Sequence, residues 1–160
     1  MIRVEDLRVT FNQSTPLENP VLRGLSLSIP NGQFVTVIGS NGAGKSTFLN
    51  VVSGEVAVQG GKVYLGDQDI TSWPVHQRAP HIARVFQDPL TGTCESLSIE
   101  ENLALAQART KTRTLSRAAK KVFRARFIAK LRTLQLGLEN RLTDKIGLLS
   151  GGQRQAVAIA

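Results

Sequence analysis

A chain of 160 residues with 41% hydrophobic and 20% charged residues is the size of one globular domain, which excludes a disordered polypeptide. Its one cysteine, Cys94, excludes an intrachain disulfide and fits a reducing compartment. The net charge of +8 is local: ten bases lie between Arg109 and Arg132 in an acid-free run, and the other ten bases are outnumbered by twelve acids. The longest charge-free stretch, Gly24 to Gly44, is broken by Pro30, Asn31, Gln33 and Asn41, so no membrane span is expected. The N-terminus, MIRVEDLRVTF, has no apolar signal core, and secretion is not expected either.

The first third reads as strands. Ile2, Val4, Leu7 and Val9 are apolar among charges, and Leu25, Leu27 and Ile29 alternate with serines at the period of a half-buried strand. Pro30-Asn31-Gly32 is a turn signal. Phe34 to Ile38 is short, apolar and β-branched, which predicts a buried strand. A glycine-rich loop follows, and Ser46 to Val52 predicts a helix packed on a sheet. Lys62 to Leu65 and Ile82 to Phe86 are further predicted strands, with a helical turn between them from Pro74 to Ala79.

Ser98-Ile99-Glu100-Glu101 is a capping box that opens a helix through about Ala108. A second helix is predicted from about Leu115 to Leu134. There Leu115, Ala119, Phe123, Phe127, Leu131 and Leu134 make one apolar stripe. Arg126 and Lys130 fall near that stripe and must snorkel, and Gly137 is expected to close the helix. Ser150 caps a last predicted helix that includes Gln155 to Ala160 and has no glycine to end it.

Two strings carry chemistry. Gly39-Ser40-Asn41-Gly42-Ala43-Gly44-Lys45-Ser46-Thr47 fits G-x-x-x-x-G-K-[ST] between a predicted strand and a predicted helix. Glycines let backbone N–H groups turn inward on phosphate oxygens, and the helix N-terminus offers partial positive charge to the same anion. Lys45 is then placed for the β- and γ-phosphates of a nucleotide and the Ser46 hydroxyl for Mg2+. The second string is Leu149-Ser150-Gly151-Gly152-Gln153, a serine N-cap with two glycines opening a helix.

Together these strings make the chain resemble the ATP-binding subunit of ABC transporters, over nearly all of its length. GSNGAGKST is similar to that family's Walker A loop and LSGGQ to its signature motif. Val85 to Pro89, VFQDP, resembles its Q-loop, with Gln87 as the glutamine. Phe11 stands where the family places an aromatic that stacks on adenine; the alternative is a core residue of a strand. The resemblance implies that Lys45 and the loop from Gly39 to Thr47 bind ATP phosphates, and that Ser46 and Gln87 help hold Mg2+. It implies that Ser150, Gly151, Gly152 and Gln153 face the nucleotide of a second ATP-binding subunit in a head-to-tail dimer. The partners it implies are that second copy, two transmembrane permease subunits and a solute-binding protein. The place is the cytoplasmic face of the membrane. Thr91 to Leu103 resembles a bacterial subgroup tied to uptake, which points to an importer, with amino acids as one candidate solute.

The family's Walker B aspartate, catalytic glutamate and switch histidine have no counterpart here. No acid follows Asp144, and His76 and His81 lie before the Q-loop. The 160 residues alone are therefore expected not to hydrolyse ATP, and the chain is expected to be a piece of a longer subunit. An uncovered sheet edge, and an uncovered face under Val51 and Val52, are expected with it. The basic run reads first as a solvated helix face, next as a surface drawn to an anionic leaflet; specific nucleic-acid binding is not expected. Two other functions stay open: a soluble ABC-type ATPase acting on ribosomes or nucleic acid, and a P-loop small-molecule kinase.

The expected fold is α/β. It is a P-loop NTPase core of the ABC ATPase type, with an N-terminal antiparallel β part and a helical subdomain from about Pro89 to Gly147. Residues 1–88 would hold the β part and P-loop core, 89–153 the helical subdomain with the signature, and 154–160 the start of a return helix.

Overall fold

β1 (Ile2–Phe11), β2 (Asn19–Ile29), β3 (Gly60–Leu65) and the short β4 (Gln68–Asp69) form one antiparallel sheet in the order β2-β1-β3-β4. The computed structural model describes residues 1–109 and 121–160. The chain divides into two compact units, Met1–Ile82 and Ala83–Ala160.

In the first unit α1 (Lys45–Ser53) lays Phe48, Val51 and Val52 with Val4, Leu7, Val9, Leu22, Val63 and Ile70 in one core. The spacing of the β1 residues in that core has a local cause. Val4 and Leu7 are three apart, which would put them on opposite faces of a regular strand. The register shifts between them, and Asp6 sits at φ +45°, so one extra residue is absorbed in a bulge and both side chains point inward. Gly61 must be glycine opposite that bulge: it lies at φ +88°, and a Cβ there would come within 2.3 Å of the Glu5 carbonyl oxygen.

Three sequence expectations are corrected in this half of the chain. The predicted strand Phe34–Ile38 is unpaired, and Phe34 and Ile38 are 96% and 89% exposed. An apolar β-branched run becomes a strand only when a neighbouring strand accepts from its N–H groups and donates to its C=O groups, and among the described residues no strand pairs with it. Ile82–Phe86 is likewise not a strand. Val51 and Val52 are buried rather than uncovered, because they pack in that core, while Arg78 of α2 (Val75–Arg78) donates to their backbone carbonyls at the end of α1.

The second unit holds α3 (Ile99–Ala108), α4 (Lys121–Arg132) and α5 (Gly151–Ile159), with short 3-10 turns at Leu138–Asn140 and Ile146–Leu148. Ile99, Leu103, Ala104, Phe127, Leu131, Leu138, Leu142, Ile146, Leu149 and Val157 make its core, with Phe123 and Leu134 packed against it. Leu115 and Ala119 of the predicted stripe lie outside the described residues, as do Lys111, Arg113, Arg117 and Lys120 of the basic run. Arg126 and Lys130 are exposed. The helix ends at Arg132 rather than at Gly137. The Thr133 hydroxyl donates to the Lys130 carbonyl at 2.6 Å, Gln135 takes φ +55°, and Gly137, at φ +70°, instead starts the turn that buries Leu138.

The capping box of α3 is formed in both directions. The Ser98 hydroxyl accepts from the Glu101 N–H, and the Glu101 carboxylate accepts from the Ser98 N–H at 2.7 Å. Those bonds from the Ser98 N–H and hydroxyl hold the Glu101 carboxyl below its ordinary value of 4.5. A carboxylate lowered in the folded state adds stability above its unfolded pKa, and that stability is lost as pH falls through the folded value. Ser98→Ala is expected to lower stability by about 1 kcal/mol at neutral pH, read from urea unfolding. The difference from the parent should shrink below pH 4.5.

Candidate functional site

The loop between Gly39 and Lys45 is shaped by its own residues. Gly42 and Gly44 sit in the left-handed region at φ +84° and +86°. A Cβ on Gly44 would also lie 3.1 Å from both the Val21 and Leu22 side chains, so β2 sets how close the loop may come. The Ala43 N–H donates to the Ser40 carbonyl at 3.2 Å and folds the loop back. The Lys45 ammonium curls over the same turn and donates to the Gly39 and Ser40 carbonyls, both at 2.7 Å. Ser46 is exposed and Thr47 half-buried.

The start of α1 is chemically unlike the starts of α3 and α5. It has a glycine N-cap, no side-chain cap and no acid in its first turn, and its first helical bond runs from the Phe48 N–H to the Gly44 carbonyl at 2.8 Å. The N–H groups before Phe48 and the positive end of the helix dipole therefore stay available to an anion. This loop fits a polyphosphate: uncapped helix donors, positive-φ glycines that admit close approach, and an ammonium already at the loop. Mg2+ fits less fully. The Ser46 hydroxyl is the donor at hand, and among the described residues no three His, Cys, Asp or Glu side chains cluster to hold a cation.

The second string forms a separate local structure. Ser150 is the N-cap of α5; its hydroxyl accepts from the Gln153 N–H at 3.3 Å, and the Gln153 side-chain oxygen accepts from the Ser150 N–H at 3.2 Å. Leu149 is buried and anchors the turn, while Ser150, Gly151 and Gly152 are exposed. A Cβ on Gly151 or Gly152 would meet nothing within 4 Å, so neither glycine is demanded by packing inside the chain. Phe11 ends β1 beside Asn19 and is 40% exposed, outside the core. Gln87 is exposed in the second unit. The structure thus brings Gly39 to Thr47 into one loop of the first unit, and Ser150 to Gln153 into one turn of the second.

A family model described as "ABC transporter" matches residues 22–160. The chain belongs to that family. It is 36% identical over 160 residues to a tyrosine transport ATP-binding protein of Clostridioides difficile (strain R20291), covering 99% of this chain and 63% of that protein. It is 33% identical over 159 residues to the ABC multidrug transporter mdr1 of Aspergillus fumigatus, covering 98% of this chain and 11% of that one. Among solved structures it is similar to an ATP-binding cassette dimer in a post-hydrolysis state bound to ADP and Pi. That likeness has a TM-score of 0.83 at 27% identity, over 99% of this chain and 67% of the other. It is also similar to the ADP conformation of an ATP-binding cassette of an ABC transporter, with a TM-score of 0.78 at 28% identity, over 99% of this chain and 62% of that chain. The α/β P-loop fold of the ABC ATPase type, read from the motifs, is therefore the fold of this chain.

Sequence reasoning about this ABC cassette missed Arg78, Glu95 and Arg154. Arg78 is only 4% exposed. Its guanidinium donates to the carbonyls of Val51 (2.8 Å), Val52 (3.0 Å), Trp73 (2.9 Å) and Thr71 (2.8 Å). Burial lowers its pKa from the ordinary guanidinium value, and a guanidinium still stays charged. No pattern around Pro74 marks it, although Gly54, at φ +85° after α1, is the residue that leaves room for its Nε.

Proposed function

We propose that this chain binds ATP with Mg2+ in the loop from Gly39 to Thr47 and serves as the energy-coupling part of an ABC transporter. The observation that carries this reading is the uncapped start of α1 inside a loop whose lysine already lies across it. The similar cassette structures, one bound to ADP and Pi and one in its ADP conformation, support it. Lys45 exchanges two loop carbonyls for phosphate oxygens, the α1 N–H groups orient the phosphate chain, and the Ser46 hydroxyl ligates Mg2+. The metal supplies charge neutralisation on the phosphates. As the resemblance implies, the Phe11 ring, on the exposed end of β1, would stack on the base, and Gln87 would be a ligand of the metal.

Ser150, Gly151, Gly152 and Gln153 face the nucleotide held by a second cassette in a head-to-tail dimer. Two permease subunits and a solute-binding protein complete the assembly, which sits on the cytoplasmic face of the membrane. Among the described residues no helix is long and apolar enough to cross a membrane. The importer reading rests on the Thr91 to Leu103 stretch, and the relative named for tyrosine transport favours an amino-acid-like solute.

The test is displacement of a fluorescent ATP analogue, followed by fractionation of cells that make the protein. Saturable binding that ATP and ADP compete away, with the protein recovered on membranes, is expected. An analogue that no nucleotide displaces overturns the binding site. Recovery on ribosomes replaces the transporter reading with a soluble ATPase.

A further inference from the structure

The signature turn is held from a distant stretch of chain. Glu95 lies 59 residues before Arg154, and its carboxylate accepts from the Arg154 guanidinium at 2.7 Å. The same guanidinium donates to the Leu149 carbonyl at 3.2 Å, one residue before Ser150. The Arg154 N–H makes the bond that opens α5, to the Ser150 carbonyl at 2.9 Å. Arg154 therefore grips the signature turn at Leu149 through its side chain and at Ser150 through its backbone. The Arg154 side chain is 13% exposed and that of Glu95 56%. The arginine is fixed by its surroundings, and the acid reaches it from the rim.

The backbone around Glu95 is tied to the same place. The Gly147 N–H donates to the Glu95 carbonyl at 3.1 Å and the Ile146 N–H to the Leu97 carbonyl at 3.0 Å. A Cβ on Gly147 would meet the Glu95 carbonyl oxygen at 3.3 Å, so the glycine permits the close approach. Asn102 of α3 pins the other side: its amide accepts from the Cys94 N–H at 2.8 Å and donates to the Cys94 carbonyl at 3.1 Å. Residues 94–97 are thus a strap between α3 and the turn that precedes Ser150.

We propose that Glu95 and Arg154 are positioning residues for the signature turn. They set where Ser150, Gly151 and Gly152 stand and touch no nucleotide themselves. This rests on the reading of those three residues as facing a nucleotide on a second cassette. An ion pair of one half-buried and one exposed partner exceeds the usual surface pair because the arginine is also held by the Leu149 carbonyl.

The test uses the whole protein and the variants Glu95→Gln, Arg154→Met and their combination. Each single change should lower nucleotide-driven association and kcat by about five- to tenfold, while the affinity of the fluorescent ATP analogue stays within about twofold of the parent. The combined variant should be no worse than Arg154→Met alone, since that change already removes the pair together with the bond to the Leu149 carbonyl. Raising ionic strength should bring the parent toward the variants, which loss of folding alone would not do. Unchanged association and kcat in Glu95→Gln, or losses that multiply in the combined variant, overturn the proposal. Ser150→Ala separates the two readings. If it weakens association while Glu95→Gln does not, the pair alone is refuted. If it too is silent, the nucleotide-facing role of the turn is refuted and the positioning role with it.

Discussion

Replacing Lys45 with alanine should weaken ATP binding by about 3 kcal/mol, roughly a hundredfold in Kd, while leaving the fold intact. The ammonium is the one charged group that the loop itself presents. In the absence of phosphate it is held by the Gly39 and Ser40 carbonyls, so binding exchanges two neutral acceptors for charged ones. The gain is the difference between those two states, which keeps it well below the gross strength of an ammonium–phosphate contact. Alanine does not harm α1, because it is the best helix former and Lys45 stands at its first position. Titration of the fluorescent analogue against parent and variant measures the ratio, and a thermal unfolding curve checks the fold. A ratio within about twofold would place the anion elsewhere.

The second large effect is on stability. Arg78→Ala should cost about 3 to 5 kcal/mol. Four carbonyls share this guanidinium, and two of them, Val51 and Val52, belong to the last turn of α1. That turn has no basic residue of its own, so Arg78 supplies the positive charge that the negative end of the helix dipole favours. Truncation leaves buried acceptors without a donor and a void under Gly54 and Trp73. Arg78→Lys should recover less than half of the loss, because a compact ammonium cannot span four carbonyls set around a planar fork. The midpoint of urea unfolding reads both variants. Equal stability of Arg78→Ala and parent would mean that water satisfies those carbonyls.

How much of this was legible in the sequence follows the range of each interaction. The starts of α3 and α5 are written in four consecutive residues each, Ser98 to Glu101 and Ser150 to Gln153, and the structure forms both boxes. The phosphate loop and α1 are equally local. The bulge at Asp6 was half visible, as an odd step from Val4 to Leu7 in an alternating pattern. Phe34–Ile38 was misread because strand formation depends on neighbours, which a window of five residues does not contain. Arg78 was missed because arginine reads as surface until four carbonyls from Val51, Val52, Thr71 and Trp73 are seen to converge on it. Glu95 and Arg154 lie 59 residues apart, and nothing local to either announces the other.

The two glycines after Ser150 lie in a helix and have open space where side chains would go. Glycine is the poorer helix former by up to about 1 kcal/mol against alanine, so the first turn of α5 is less stable than its backbone allows. Nothing among the described residues recovers that loss. Selection for folding alone would drift both positions toward alanine, and a screen that scores only heat resistance would reward the change. Under the proposed function the glycines at these positions answer to a molecule that approaches from outside, and variation there is then to be judged by assembly rather than by robustness.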